Sequence, residues 1–146
     1  MRTSSRRRLP QRRRPIARKV RRSVHPAVQA TNLQLQEGIA LFNHHQFFEC
    51  HEVLEQCWRE LTDSSKDFYK GLIQAAVAFH HWSRGNLPGA LTLARSAAKY
   101  LKRYEPVYAG VEVARFLTPF TELFQWLRRH RQRYDSRLVP VIRLRA

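Results

Sequence analysis

The sequence predicts an all-α fold: a compact bundle of about five helices built from two helical hairpins, behind a disordered basic N-terminal tail. Three observations lead there. From residue 33 onward apolar residues recur at i, i+3, i+4 and i+7. No stretch alternates convincingly enough to be a strand, and Leu138-Val139-Pro140-Val141-Ile142 is too short to change the class. Turn-forming residues interrupt the pattern at helix-length intervals.

The first helix is expected over roughly 33–44, with Leu35, Ile39 and Phe42 on one face and His44-His45-Gln46 as a short connection. The second, roughly 46–61, carries Phe47, Cys50, His51, Leu54, Cys57, Trp58 and Leu61 on an unbroken stripe. Thr62-Asp63-Ser64-Ser65 breaks the stripe and supplies capping oxygens. A third helix, roughly 66–84, is apolar around much of its circumference and is therefore read as central; Gly85-Asn86 ends it. The fourth, roughly 87–104, lines up Ala90, Leu93, Ala94, Ala97 and Leu101, small enough for close packing, and Glu105-Pro106 stops it. Thr118 and Pro119 fit the N-cap and first position of a fifth helix, preceded by a short turn at 110–117 and continued by WLRRHRQRY to 134. Shifting the chain by 40 residues aligns Ile39 with Phe79, Phe42 with Trp82 and Cys50 with Ala90. The two halves resemble a tetratricopeptide-like hairpin at a longer period.

Length and composition bound the rest. The 146 residues suit one domain with tails, and 43% hydrophobic content is enough for a core. No apolar run approaches the roughly 18–20 residues needed to span a bilayer. The N-terminus lacks the apolar segment of a secretory signal, so export is not expected. On a helix, Cys50 and Cys57 would lie about 10 Å apart, too far for a disulfide. They read as reduced, buried small hydrophobes of a cytosol-like compartment.

The net charge of +16 is unevenly placed. Residues 1–22 hold 11 Arg or Lys and no acid, residues 128–146 hold seven Arg and one acid, and the middle is near neutral. The domain expectation follows: residues 1–30 a disordered Arg-rich tail, 31–134 the helical domain, 135–146 a basic C-terminal tail. Arg6, Arg7, Arg8, Arg12, Arg13 and Arg14 could neutralise phosphates of RNA. An organelle transit peptide has a similar composition, and so has an inert solvated tail.

The chemistry concentrates in FFECHEVLEQCW, residues 47–58. His51 on the apolar stripe should be largely buried and needs partners for both ring nitrogens. Glu55 at i+4 can serve one, and a hairpin about 62–65 brings Gln74 within plausible reach. Glu52 sits nearer the edge, Trp58 packs, and His80 and His81 lie further along. A satisfied His–Glu–Gln seam that fixes helix register is one reading. A binding site for a small ligand or protein partner is another. A metal site of His51, Glu55 and His80, with His44 or His81 as further candidates, is a third, because HEVLE is similar to the zincin HExxH with Glu for the second His. An acid/base pair is a variant of it. Tyr69, Tyr100, Tyr104 and Tyr108, read as partly exposed, could join Lys99, Lys102 and Arg103 in a basic–aromatic patch. No nucleophile motif, phosphate-binding glycine loop or cofactor fingerprint is present, and no cofactor beyond a metal is implied.

LFNHHQFFECHEVLEQCW, YKGLIQAAVAFHHWSRGN and PGALTLARSAAKYL together resemble the family catalogued as domain of unknown function 309 over residues about 37–101. The matching positions are Phe42-Asn43, His51, Glu52, Glu55, Trp58, Gly71 to Gln74, His80 or His81, Gly85-Asn86 and Gly89-Ala90. The resemblance implies a small all-helical protein of bacteria or plastid-bearing lineages with no established activity. Its location would be the bacterial cytoplasm, or the plastid stroma if nuclear-encoded. A binding or scaffolding module is the favoured expectation. A metal-dependent or acid/base hydrolase and an RNA- or ribosome-associated factor are the alternatives.

Overall fold

A computed structural model describes the backbone of residues 26–145 and the side chains of residues 32–145. The described residues from 34 onward form one compact unit. Among the described residues there are five α-helices and no named strand: α1 Pro26–Asn43, α2 Phe47–Glu60, α3 Lys66–Ser83, α4 Leu87–Lys102 and α5 Val113–His130, followed by a 3₁₀ turn Ser136–Leu138. The fold is all-α. No helix among them is long and apolar enough to cross a membrane.

The expected disorder of residues 1–25 lies outside the described residues. Residues 26–30 differ from expectation, because α1 begins seven residues earlier, at Pro26. Proline has no N–H to leave unpaired at a first helical position, so it opens a helix without cost.

The 40-residue offset is written into the hydrogen bonds of the two hairpin turns. In the first, the His44 N–H donates to the carbonyls of Ala40 and Leu41, His45 to Phe42, and Gln46 to Leu41. In the second, Arg84 donates to His80 and His81, Gly85 to Trp82, and Asn86 to His81. Every donor and acceptor is displaced by the same 40 positions. The pivot is left-handed in both, at φ 64° for His45 and 82° for Gly85. Buried positions follow the same offset: Ile39 and Phe79, Phe42 and Trp82, Cys50 and Ala90, Leu54 and Ala94, Cys57 and Ala97. The second hairpin therefore carries alanines where the first carries larger side chains.

Those alanines, with Gly71, set the distance between α3 and α4. A Cβ on Gly71 would stand 2.7 Å from Leu101 Cγ and 3.2 Å from Tyr100 Cβ. Gly71→Ala is therefore expected to lower stability by about 1–3 kcal/mol through overpacking, read as a fall in urea midpoint. An unchanged midpoint would mean α4 can move away freely.

Rings fill the core between the helices. Phe42 meets Phe47, Phe79 and Phe116 edge-on, and Phe79 also meets Phe120 and Phe124. Two corrections concern α5. It starts at Val113, so Pro119 lies inside the helix. The carbonyl four residues back, at Arg115, loses its partner, but both residues are exposed and water can take the bond. The helix stops at His130, because Arg131 turns left-handed at φ 48°. That reversal brings Gln132 O to 2.9 Å from Trp82 Nε1 and Tyr134 onto the Trp82 ring.

The C-terminal segment packs back onto the fold rather than trailing as a tail. Val139 and Ile142 are buried. The Asn43 side chain donates to Ile142 O and accepts from Ile142 N–H, both at 2.9 Å. Leu144 bridges Val111, and Arg145 N–H donates to Gly110 O.

Candidate functional site

The buried stripe of α2 is narrower than the sequence implies: Phe47, Cys50, Leu54 and Cys57. Phe48, His51, Glu55 and Trp58 follow the same i, i+3, i+7, i+10 spacing one residue on, about 100° around the helix. They form its flank. Phe48 is 49% exposed, and the His51 and Glu55 side chains are 24% and 34% exposed. No polar or charged residue among those described is fully buried; His51, Glu55 and Gln74 are each partly buried, and the expected His51–Glu55 contact is present without Gln74.

Within it, Glu55 bridges two neighbours. One oxygen lies 3.4 Å from His51 Nε2 and the other 2.8 Å from Arg59 Nη2. Glu52 is exposed. The Phe48 ring meets two imidazoles, 5.7 Å from His51 and 5.6 Å from His80, and His81 follows at 6.3 Å from His80. Partial burial, then the charges of Arg84, His81 and His51, hold the His80 pKa below the ordinary imidazole value. Next to this row lies an open cavity of about 540 Å³, lined by His45, Phe48, Glu49, His80, Ser83 and Arg84 among others.

Gln74 does not join His51. It shares a helix face with Asp67, Lys70 and Gly71, which meet Arg103 just past α4 and Tyr100 and Leu101 of α4. Its buried Oε1 has no hydrogen-bond partner, and neither has Trp58 Nε1. Lys66 Nζ stands 4.2 Å over the Trp58 ring and donates to the carbonyls of Trp58 and Leu61. Trp58 is thus only partly buried, and α3 supplies the cation that caps the end of α2. His81 is held by Asn86, whose Nδ2 lies 3.3 Å from its Nδ1. The Asn86 Oδ1 accepts from Gly89 N–H, and a Cβ on Gly89 would collide with that amide.

The metal expectation is corrected as well. Among the described residues no group of three or more His, Cys, Asp or Glu could hold an ion. The Glu55 oxygens are committed to His51 and Arg59.

Neither cysteine is a nucleophile in waiting. Burial pushes the Cys50 thiol up to about 12, and the Tyr69 hydroxyl hydrogen-bonds Cys57. Tyr69 is buried, against expectation, and Tyr104 and Tyr108 pack on Phe68. The basic–aromatic patch is therefore reduced to Tyr100 and Tyr104 beneath Lys70 and Arg103. Arg6 to Arg8 and Arg12 to Arg14 lie outside the described residues. The sequence reading passed over Phe48, Ser83 and Arg84; the signal for Phe48 was the 48, 51, 55 spacing beside the main stripe.

The model of the family described as "Domain of unknown function (DUF309)" matches residues 35–93, in keeping with the resemblance read over 37–101. The uncharacterized protein YpuF of Bacillus subtilis is 40% identical over 57 residues, which cover 38% of this chain and 33% of that protein. An uncharacterized protein of Aquifex aeolicus is 33% identical over 80 residues, 54% of this chain and 24% of its own length. The chain thus spans about a third or less of these relatives.

Proposed function

We propose that this chain is a helical binding module that engages a protein or small-molecule partner through the Phe48–His51–His80 face. The observation that carries the reading is the half-exposed Phe48 ring framed by two imidazoles beside an open polar cavity. An aromatic anchor with a polar rim is the usual make-up of a binding hot spot. Partial burial and neighbouring positive charge lower the His80 pKa, which favours the neutral ring that can accept a hydrogen bond. The reduced, packed thiols at Cys50 and Cys57 suit a reducing compartment, such as a bacterial cytoplasm or plastid stroma.

Stability and binding should separate at this face. His51→Ala is expected to change stability by less than about 1 kcal/mol, since a partly exposed i,i+4 ion pair contributes little. A photo-crosslinking residue at position 48 should capture a discrete partner in cells, and His51→Ala or His80→Ala should abolish the capture. Large destabilisation by His51→Ala, or capture indifferent to both histidines, would reject the reading.

A second reading, RNA association through the basic ends, has support in the exposed arginines at 128, 129, 131 and 133 and the exposed Trp126 stacked on His130 at 4.5 Å. Single-stranded RNA would stack on that ring and lose affinity steeply with salt. Binding that ignores salt, or survives Trp126→Ala with double Arg→Ala at 128 and 129, would exclude it.

A further inference from the structure

The second hairpin leaves a groove that the first one fills. Two adjoining cavities, of about 210 and 470 Å³, run between α4 and α5 and share Arg95, Ala98 and Thr121. Their apolar floor is Leu91, Ala94, Ala98, Leu117, Phe120 and Phe124. The 40-residue offset explains the space. Ala98 stands where the first hairpin has Trp58, whose side chain packs against the core. Exchanging an indole for a methyl leaves a gap of aromatic size.

The groove also has a charge. Arg95, Lys99 and Lys102 line it from α4 and Arg128 from α5. Among the described residues, Arg95, Lys99 and Arg128 enter no ion pair, and Lys102 reaches Glu105 only at 4.0 Å. The acids on the rim are Glu105 and Glu122, so cations prevail. From Leu91 to Lys102 the groove follows about three helical turns, roughly 16 Å.

Length, recess and charge together select the occupant. Phe120 and Phe124 are buried in the floor and offer no free ring for a base to stack on, which disfavours single-stranded nucleic acid. A membrane surface would need protruding rather than recessed apolar groups. A protruding helix with an apolar ridge and acidic flanks fits on each count. We propose that the α4–α5 groove docks an acidic amphipathic helix of a partner protein. A large apolar side chain would fill the space over Ala98, and flanking carboxylates would meet Arg95, Lys99 and Arg128. This surface does not depend on the Phe48 face, and its test leaves that face unaltered.

The probe is a fluorescent synthetic helical peptide of about 16 residues, long enough for the three turns with frayed ends. It carries Leu and Trp at i, i+4 and i+7 and Glu on both flanks, and is titrated into the full chain. A scrambled peptide of equal composition, a Lys-for-Glu peptide and a uridine oligonucleotide serve as comparisons. The acidic helix should bind about tenfold or more tightly than the scrambled one, and the Lys-for-Glu peptide should not bind. Ala98→Trp, which closes the gap, and the charge reversal Arg95→Glu with Arg128→Glu should each weaken binding by about tenfold with the circular dichroism unchanged. If Ala98→Trp does not fold, the charge reversal alone decides. Equal affinity for the scrambled peptide, tighter binding of the oligonucleotide, or indifference to the charge reversal would overturn the proposal.

Discussion

Phe79→Ala is expected to lower stability by about 3–5 kcal/mol, the usual cost of removing a buried aromatic side chain. Phe79 is fully buried, and its ring is a meeting point for four of the five helices. It touches Phe42 of α1 at 5.7 Å, Phe47 of α2 at 5.4 Å, Trp82 of α3 at 6.3 Å, and Phe120 and Phe124 of α5 at 5.7 and 5.2 Å. None of those rings can follow the lost side chain without leaving another, so the cavity will collapse only in part. Urea denaturation followed by circular dichroism should show a large fall in midpoint with little change in slope. A loss below about 1.5 kcal/mol would mean that the surrounding rings close the gap and that the core is more plastic than its packing implies. Phe79→Leu, which keeps much of the volume, should recover about half of the loss.

The elements that sequence reasoning placed well are those whose burial is periodic. Phe47, Cys50, Leu54 and Cys57 announce α2, and Gly85-Asn86 announces the break between α3 and α4, because both signals are local. The 40-residue offset was legible too, since it governs which residues face inward as well as the turn at His45 and Gly85. What was misread depends on angle or on distance in the chain. His51 lies one residue from the buried stripe, and a 100° step carries a side chain from the core to the rim. The sequence gives the spacing but not the width of the contact, so an imidazole 24% exposed looked like part of the buried stripe. Gln74 was placed opposite His51 by counting along a hairpin, yet its helix face belongs to α4. Pro119 looked like a helix start because local rules put proline there, whereas exposure of Arg115 and Pro119 makes an interior position affordable. Tyr69 was expected to be partly exposed, but it is buried and its hydroxyl has a buried thiol for a partner.

The C-terminal segment is the largest element hidden from sequence, and Asn43→Ala tests what holds it. Residues 135–146, with three arginines, read as a basic C-terminal tail, because charge dominates composition there. The apolar residues that anchor it, Val139 and Ile142, have no helical or strand period to betray them. Their anchor is a pair of hydrogen bonds between side chain 43 and backbone 142, a contact across 99 positions that leaves no local pattern. The same Asn43 ends α1, so the residue that closes the first hairpin's leading helix also fixes the chain's last turn. Removing its amide leaves a part-buried N–H and C=O without partners, at a cost of about 2–3 kcal/mol for the pair. Asn43→Asp keeps an acceptor for the Ile142 N–H but loses the donor to its carbonyl, and should cost less. Trypsin supplies the local readout. In Asn43→Ala, cleavage after Arg137, Arg143 or Arg145 should quicken well before the helices melt, because the segment is released while the bundle survives. Cleavage at the wild-type rate, with melting unchanged, would show that Val139 and Ile142 hold the segment by burial alone.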